Sequence, residues 1–281
     1  MKLLQKRGAG VAAALVVTFM TMPARMYAAE HISSTAQAKI DEFMALRMTV
    51  AALGDNGAAL TAIDSFAKSS AASSTLTDEE QLILENFVLL ERYNYLKADS
   101  ANKSLLRTSL KAQKDKCDAW MNAHKAETPN KWLCVTYADT ISCYISFAMS
   151  GVIKYGLSIK DYYSKAISQD AHCSYVLTNL AQWYYWAPKL NGGSKKKAGE
   201  YFEQALQSAR NDAEVYFASS FLSQYVFETG DKARAATLLA AAKAKCPAST
   251  YIARLERINA QGMSLFEYDR KHSKMEGKPQ E

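Results

Sequence analysis

Small residues recur at a near-constant interval in the second half of the chain, and this pattern constrains the fold more than any other feature. Ala166 is followed by Ala205 after 39 residues and by Ala242 after a further 37. Each alanine lies in a stretch with helical spacing, at a position where two helices meet too closely for a larger side chain. A repeat of this length predicts stacked pairs of helices. The sequence therefore predicts an all-α fold, a right-handed α-solenoid of about ten helices.

Helix signals continue through the rest of the chain, and nowhere does an apolar/polar alternation persist between turn residues. Thr77 and Glu80 have the spacing of a capping box, in which each side chain satisfies a backbone amide at the start of a helix. Residues 132–154 are strongly apolar, which predicts one central helix that is buried on most sides. A shorter partner helix is expected over residues 162–167.

The first 29 residues have the pattern of a secretory signal peptide. Lys2, Lys6 and Arg7 precede an apolar run from Gly8 to Met22, and small residues follow. The run is shorter than the roughly 20 residues of a spanning helix, although an uncleaved anchor remains an alternative. Cleavage would leave a helical repeat domain over residues 30–267 and a disordered tail over residues 268–281, in a periplasmic or secreted protein.

Charge and cysteine content narrow the function classes further. Removing residues 1–29 lowers the formal net charge from +6 to +2, which gives no reason to expect nucleic-acid binding. An oxidising compartment permits disulfides, but five cysteines cannot all pair within one chain. Spacing leaves two readings open, namely buried free thiols or two disulfides. The candidate pairs are Cys117 with Cys134 and Cys143 with Cys173.

The residues around the alanine repeat resemble the tetratricopeptide repeat. Gly230 and Asp231 form a predicted turn, and the helix that follows matches the second half of that consensus. The predicted packing positions of the repeats are Ala166, Ala181, Ala198, Phe202, Ala205, Gly230, Ala235, Leu239, Ala242 and Pro247. The turn between residues 187 and 194 is about five residues longer than the consensus, and the first helix around residue 219 departs from its large-small pairing.

A second resemblance is narrower. The residues Tyr184-Tyr185-Trp186-Ala187-Pro188, followed by Gly192-Gly193-Ser194 and Lys197-Ala198, are similar to a signature of exported tetratricopeptide proteins associated with TRAP-type transporters. The resemblance implies a helical periplasmic protein that assembles as a trimer. It also implies that the protein hands a small hydrophobic or carboxylate-bearing ligand to a periplasmic substrate-binding protein. Many members carry a lipid-attachment cysteine near the N-terminus, and this chain has none in residues 1–30.

Four consecutive aromatic residues form the densest local feature of the sequence. Trp183 and Trp186 are three residues apart and share a helix face, whereas Tyr184 and Tyr185 point elsewhere. Two interpretations are open: core packing, or a wall that faces a ligand or a partner. Asn191, in the turn that follows, is included with these four residues as a candidate binding position.

No catalytic or metal-binding signature is present, and the four histidines lack metal spacing. The leading hypothesis is therefore a non-enzymatic binding or adaptor protein without a cofactor, an accessory of a TRAP-type transporter. One alternative is an envelope scaffold that binds an extended peptide or protein on its concave face. Another is a secreted hydrolase with a helical toroid.

Overall fold

The structure, a computed structural model, describes residues 32–147 and 150–276. These residues form twelve α-helices and no strand, which confirms the all-α fold. Short 3-10 turns cover Ser100–Asn102 and Lys189–Asn191. The helices are α1 Ser34–Val50, α2 Asn56–Ala71, α3 Asp78–Leu96, α4 Lys103–Ala123, α5 Lys131–Ile145, α6 Ser150–Gln169, α7 Ser174–Trp186, α8 Lys195–Gln207, α9 Asp212–Glu228, α10 Lys232–Lys245, α11 Thr250–Ala260 and α12 Leu265–Glu276.

Consecutive helices pack as adjacent pairs in a solenoid-like arrangement, most extensively α5 with α6, α7 with α8 and α9 with α10. Ala166, Ala205 and Ala242 have no exposed surface, as the repeat pattern predicts. The other predicted packing positions that lie within these helices are also buried: Ala181, Ala198, Phe202, Ala235 and Leu239. These predicted packing positions of the repeat therefore belong to the buried core.

The first helix also packs against the late part of the chain. Helix α1 contacts α9, and the amide of Thr250 donates to the carbonyl of Ala51 at 3.0 Å. The thiol of Cys246 lies 3.5 Å from the carbonyl oxygen of Met48. These contacts bring α1 beside α7 and α9, so that residues far apart in sequence line one cavity.

Local signals predicted several helix ends correctly. Thr77 and Glu80 form the expected capping box at the start of α3. Gly230 has a φ of 100° in the turn before α10, a left-handed conformation that glycine adopts without strain. Ser194 accepts a hydrogen bond from the amide of Lys197 and so caps α8. Pro247 lies just beyond the end of α10.

Two predictions about helix boundaries were wrong. The apolar stretch over residues 132–154 is not one helix, because α5 ends at Ile145 and α6 begins at Ser150. The apolar pattern runs across this break because α5 and α6 pack against each other and both carry apolar faces. The predicted short helix over residues 162–167 is the end of α6. The two corrections cancel in the helix count, and the described residues contain twelve α-helices rather than about ten, of which α12 is one that the sequence did not predict.

The predicted disordered tail is also wrong over its first part, because α12 extends to Glu276. The helix is held by the buried ring of Phe266, whose centroid lies 4.2 Å from that of Tyr185 and 6.1 Å from that of Phe202. Residues 277–281 and the predicted signal peptide over residues 1–29 lie outside the described part of the chain.

Candidate functional site

A small cavity lies where α1, α7 and α9 meet. Its volume is about 30 Å³, enough for one or two water molecules. Its wall combines apolar and aromatic side chains with one cation, one carboxylate and several neutral polar groups. The lining residues are Met44, Arg47, Ser174, Tyr175, Thr178, Asn179, Ala213, Glu214, Phe217 and Phe221. A pocket with an apolar wall and few polar groups is the usual form of a small-molecule site.

Arg47 provides the positive charge of this cavity. Its side chain is 15% exposed, and its Nε donates to Oε2 of Glu91 at 2.8 Å. The guanidinium carbon lies 4.2 Å from the ring centroid of Phe217 and 5.4 Å from that of Tyr175. Burial lowers the pKa of Arg47, but the charge of Glu91 outweighs it and the net shift is upward. Arg47 therefore stays positively charged at the edge of an apolar space.

The terminal nitrogens of Arg47 have few partners in the described part of the chain. Nη1 lies 3.9 Å from the thioether sulfur of Met44, and neither Nη1 nor Nη2 donates to an oxygen of a described residue. A guanidinium group carries five N–H donors, of which Nε supplies only one. The end of the side chain that can bind a carboxylate in bidentate fashion is thus available.

Asp139 does not line the cavity but accepts hydrogen bonds from residues that do. The hydroxyls of Tyr163 and Tyr175 and the amide nitrogen of Asn179 donate to its carboxylate, the last two at 3.1 Å. Burial raises the pKa of Asp139 to about 6, although the two tyrosine hydrogen bonds and the charge of Arg47 lower it. Three donors converge on this carboxylate, which fixes Tyr175 and Asn179 where they line the cavity.

The polar groups of Tyr175 and Asn179 are therefore already engaged. The hydroxyl of Tyr175 and the Nδ2 of Asn179 donate hydrogen bonds to Asp139, and the Oδ1 of Asn179 accepts one from Gln182 at 3.1 Å. Glu214, the lining carboxylate, accepts the backbone amide of Arg210 at 2.6 Å. Arg47 is left as the lining cation with uncommitted donors, and this arrangement favours an anionic group in the cavity.

The four predicted aromatic residues do not line this cavity. Tyr184 and Tyr185 are buried in the core, whereas Trp183 is half-buried and Trp186 is 45% exposed. Helix α7 contributes to the cavity through its first two turns instead, with Tyr175, Thr178 and Asn179. Core packing, one of the two interpretations of residues 183–186, is thus observed for the two tyrosines, whereas a wall that faces a ligand or partner stays a prediction for the two accessible tryptophans.

Tyr185 is part of a charged cluster that joins α7, α9 and α12. Its hydroxyl donates to the carboxylate of Glu228, which also accepts from Lys195 at 2.6 Å, Ser264 at 3.0 Å and Arg270 at 3.1 Å. Burial raises the pKa of Glu228, but these donors outweigh it and the net shift is downward. The hydrogen bonds of Ser264 and Arg270 to Glu228 attach α12 to the rest of the solenoid, which explains why that helix forms.

Asn191 lies in the loop between α7 and α8, away from the cavity. Gly192 beside it has a φ of 90°, a left-handed conformation that favours glycine, whereas Gly193 is required for a different reason. A Cβ on Gly193 would lie 1.8 Å from the carbonyl oxygen of Ala187. The second glycine therefore permits a close backbone approach rather than a left-handed conformation.

All five cysteines are free, so the two candidate disulfides are not formed. The thiol of Cys117 lies 3.5 Å from the side-chain amide of Asn86, whereas that of Cys134 is directed at the carbonyl of Pro129 at 3.6 Å. Burial raises the pKa of Cys117, Cys134 and Cys143 to about 12. These thiols are therefore weak nucleophiles, which fits the alternative of buried free cysteines.

Sequence reasoning missed Arg47, Glu91 and Asp139. One signal was present, because Asp139 is the single acidic residue of the otherwise apolar helix α5. Buried charges are rare unless they are paired or bonded, so an isolated acid in such a helix indicates a polar cluster. No comparable signal marks Arg47, because its role depends on the approach of α1 to α9.

Comparisons with known proteins leave the family open. No family model matches the chain, and no curated protein or solved structure is similar enough to be matched. No helix of the described residues is sufficiently long and apolar to cross a membrane. Within the same residues, no group of three acidic, histidine or cysteine side chains is arranged to hold a metal ion.

Proposed function

We propose that this protein is a non-enzymatic binding protein that takes up a small ligand with a carboxylate group and an apolar body. The observation that carries the proposal is the position of Arg47, which lines the cavity between α1, α7 and α9 and whose terminal nitrogens donate to no oxygen of the residues that the structure describes. The carboxylate is expected to bind these nitrogens, and the apolar body to lie against the aromatic wall.

The choice of a carboxylate follows from the chemistry of the guanidinium group. Its two terminal nitrogens present parallel N–H donors that match the two oxygens of a carboxylate. Because Glu91 contacts only Nε, a ligand can bind the other end without displacing that ion pair. Stacking on Phe217 holds the guanidinium plane in place, so little side-chain entropy is lost on binding.

The apolar part of the ligand has a defined place. Met44, Ala213, Phe217 and Phe221 are apolar side chains that line the cavity, and both phenylalanines are only partly buried. The observed volume of about 30 Å³ is too small for such a ligand. Binding therefore requires Phe217 or Phe221 to change rotamer, a movement that half-buried side chains make more readily than core residues.

The exported location and the protein partner are proposed from the sequence. The pattern of residues 1–29 supports secretion into the periplasm or beyond, and the resemblance around residues 184–198 supports an accessory role beside a TRAP-type transporter, as a trimer. A substrate-binding protein would then receive the ligand. Affinity capture from the periplasm should recover such a protein, and repeated failure to recover one would contradict this part of the proposal.

Calorimetric titration with straight-chain alkanoates from butanoate to decanoate tests the ligand class. Octanoate should bind, and 1-octanol, which has the same apolar body without the charge, should bind at least about tenfold more weakly. Arg47→Gln should weaken octanoate binding about 10- to 100-fold, since a hydrogen bond to a charged group contributes about 1.5–3 kcal/mol. Arg92→Gln is the matched control, because Arg92 pairs with Asp64 at 3.0 Å on an exposed surface.

A second variant separates loss of binding from loss of folding. Arg47→Gln leaves Glu91 buried without its partner, and this can unfold the protein. The double variant with Arg47→Gln and Glu91→Gln removes both charges at once and should remain helical by circular dichroism while losing octanoate affinity. Unchanged affinity in this variant would refute the proposal. Binding of extended peptides alone would favour a scaffold, and catalytic turnover of a bound ester or peptide would favour a hydrolase.

A further inference from the structure

The loop between α7 and α8 displays one fully exposed leucine. Leu190 lies in the 3-10 turn Lys189–Asn191 and is 100% exposed. The loop that carries it, residues 188–193, is rigidly held at its base: the amide of Gly193 donates to the carbonyl of Pro188 at 3.0 Å, and that of Ser194 to Tyr184 at 2.8 Å. Leu190 thus projects from an ordered support and makes no contribution to the core.

A second exposed leucine lies beside this loop. A Cβ on Gly156 would be 3.5 Å from the Nδ2 of Asn191, so this part of α6 is adjacent to the loop. Leu157, the next residue of α6, is 66% exposed. Neighbouring segments of the fold thus each carry an exposed leucine that makes little contribution to the core.

An indole ring and an ammonium group stand at the edge of the same loop. A Cβ on Gly192 would lie 3.8 Å from the ring of Trp183 and 3.7 Å from the Nζ of Lys160. That Nζ also lies 6.0 Å from the ring centroid of Trp183. Amphipathic rings and long cationic side chains next to apolar tips are typical of the interface between lipid and water.

All charged side chains of the loop itself and of the start of α8 are positively charged. Residues 186–197 contain four lysines and no acidic residue. Lys195 pairs with Glu228 at 2.6 Å, and Lys196 is 4.0 Å from Glu200. For the other lysines here, Lys160, Lys189 and Lys197, no carboxylate of the described residues lies within 4.0 Å. Asp161, beside Lys160 on α6, is an exposed acid, so residues 156–161 and 186–197 together carry five lysines and one acid, an excess of positive charge that is complementary to an anionic surface.

We infer that residues 156–160 and 188–193 form a docking surface for the anionic headgroup region of a lipid bilayer. Leu190 inserts among the acyl chains nearest the headgroups, and Lys160 and Lys189 contact lipid phosphates. A bilayer suits this surface because Leu190 projects outward, whereas a stable protein interface needs about 800 Å² of complementary surface on each partner. The proposal does not depend on the ligand proposed for Arg47.

Vesicle co-sedimentation tests this inference. The protein recovered after export is used, with its first residue established by mass spectrometry. The vesicles contain phosphatidylcholine alone or with 30% phosphatidylglycerol. Binding should require phosphatidylglycerol and weaken as salt increases. Leu190→Ser should reduce it about tenfold, and Lys160→Gln and Lys189→Gln about fivefold each. None of the three should alter the thermal midpoint by more than about 2 °C.

Matched controls keep the test specific. Leu53→Ser changes another exposed leucine, 43% exposed at the end of α1, and Lys68→Gln changes an exposed lysine on α2. Both controls should bind vesicles like the wild type. The inference is overturned if the wild type does not bind anionic vesicles or if Leu190→Ser binds them as well as the wild type. It is also overturned if the control variants lose as much affinity as Leu190→Ser. A change of oligomeric state in Leu190→Ser alone, without an effect on vesicles, would also overturn it and assign the surface to a second copy of the chain.

Discussion

Replacing Asp139 with asparagine should make the protein relatively more stable as the pH rises. Burial raises the pKa of this carboxyl from 3.8 to about 6, so the folded state binds its proton more tightly than the unfolded chain. The stabilisation from that proton is fully present below about pH 4 and is lost as the pH rises through 6. At 1.36 kcal/mol for each pH unit between the two pKa values, ionisation of Asp139 costs the fold at most about 3 kcal/mol at pH 7.5.

Urea unfolding followed by circular dichroism between pH 4 and 7.5 measures this effect. The unfolding free energy of Asp139→Asn relative to the wild type should rise by up to about 3 kcal/mol over that range. The new side-chain amide also faces the donors of Tyr175 and Asn179, which destabilises the variant by an amount that does not change with pH. The test is therefore the change of the free-energy difference with pH, and not its absolute value. Asp161→Asn, on the exposed side of α6, is the matched control for the substitution itself. A flat or falling difference for Asp139→Asn would refute the reasoning.

Three further substitutions follow from close contacts. Gly193→Ala places a Cβ against the carbonyl oxygen of Ala187 and should cost about 3 kcal/mol, lowering the thermal midpoint by about 6–10 °C. Gly199→Ala meets the ring of Tyr225 at 2.5 Å but gains about 1 kcal/mol of helix propensity, so calorimetry should show a net cost of only about 1 kcal/mol. Burial raises the pKa of Glu80, but hydrogen bonds from backbone amides at the starts of α1 and α3 lower it by more, so the net shift is downward. Glu80→Gln should therefore lower the free energy of unfolding by about 2 kcal/mol at pH 7. The loss should be smaller below pH 4, where the wild-type carboxylate becomes protonated, and urea unfolding at the two pH values measures the difference. Equal midpoints for the two glycine variants, or a pH-independent effect at position 80, would contradict these contacts.

The solenoid was predictable because its signals are local and periodic. Ala166, Ala205 and Ala242 recur at fully buried positions, where a larger side chain would have to displace its neighbours. The capping box of Thr77 and Glu80 is likewise contained within four residues. Such signals need no knowledge of which helices meet in space.

Features that depend on contacts between distant helices were not predictable in the same way. Helix α12 forms where its composition suggested disorder, because Phe266 packs on Tyr185 and Arg270 joins the charged cluster around Glu228. The division between α5 and α6 was hidden because both sides of the break carry apolar residues. For α12, tertiary packing decided the outcome against the local preference.

The candidate site could not be predicted from the sequence either, because it too depends on contacts between distant helices. Arg47 and Glu91 are 44 residues apart, and Asp139 receives hydrogen bonds from Tyr163, Tyr175 and Asn179 on two other helices. Only the fold brings these groups together. The aromatic run at residues 183–186 attracted attention because it is contiguous, yet its two tyrosines serve packing.

A crystal structure of the protein with octanoate bound tests the central claim most directly. The account predicts carboxylate oxygens within about 3 Å of the terminal nitrogens of Arg47. The alkyl chain should lie between Phe217 and Phe221, with at least one of these rings in a new rotamer. Octanoate bound elsewhere, with the guanidinium group of Arg47 free of it, would contradict the account.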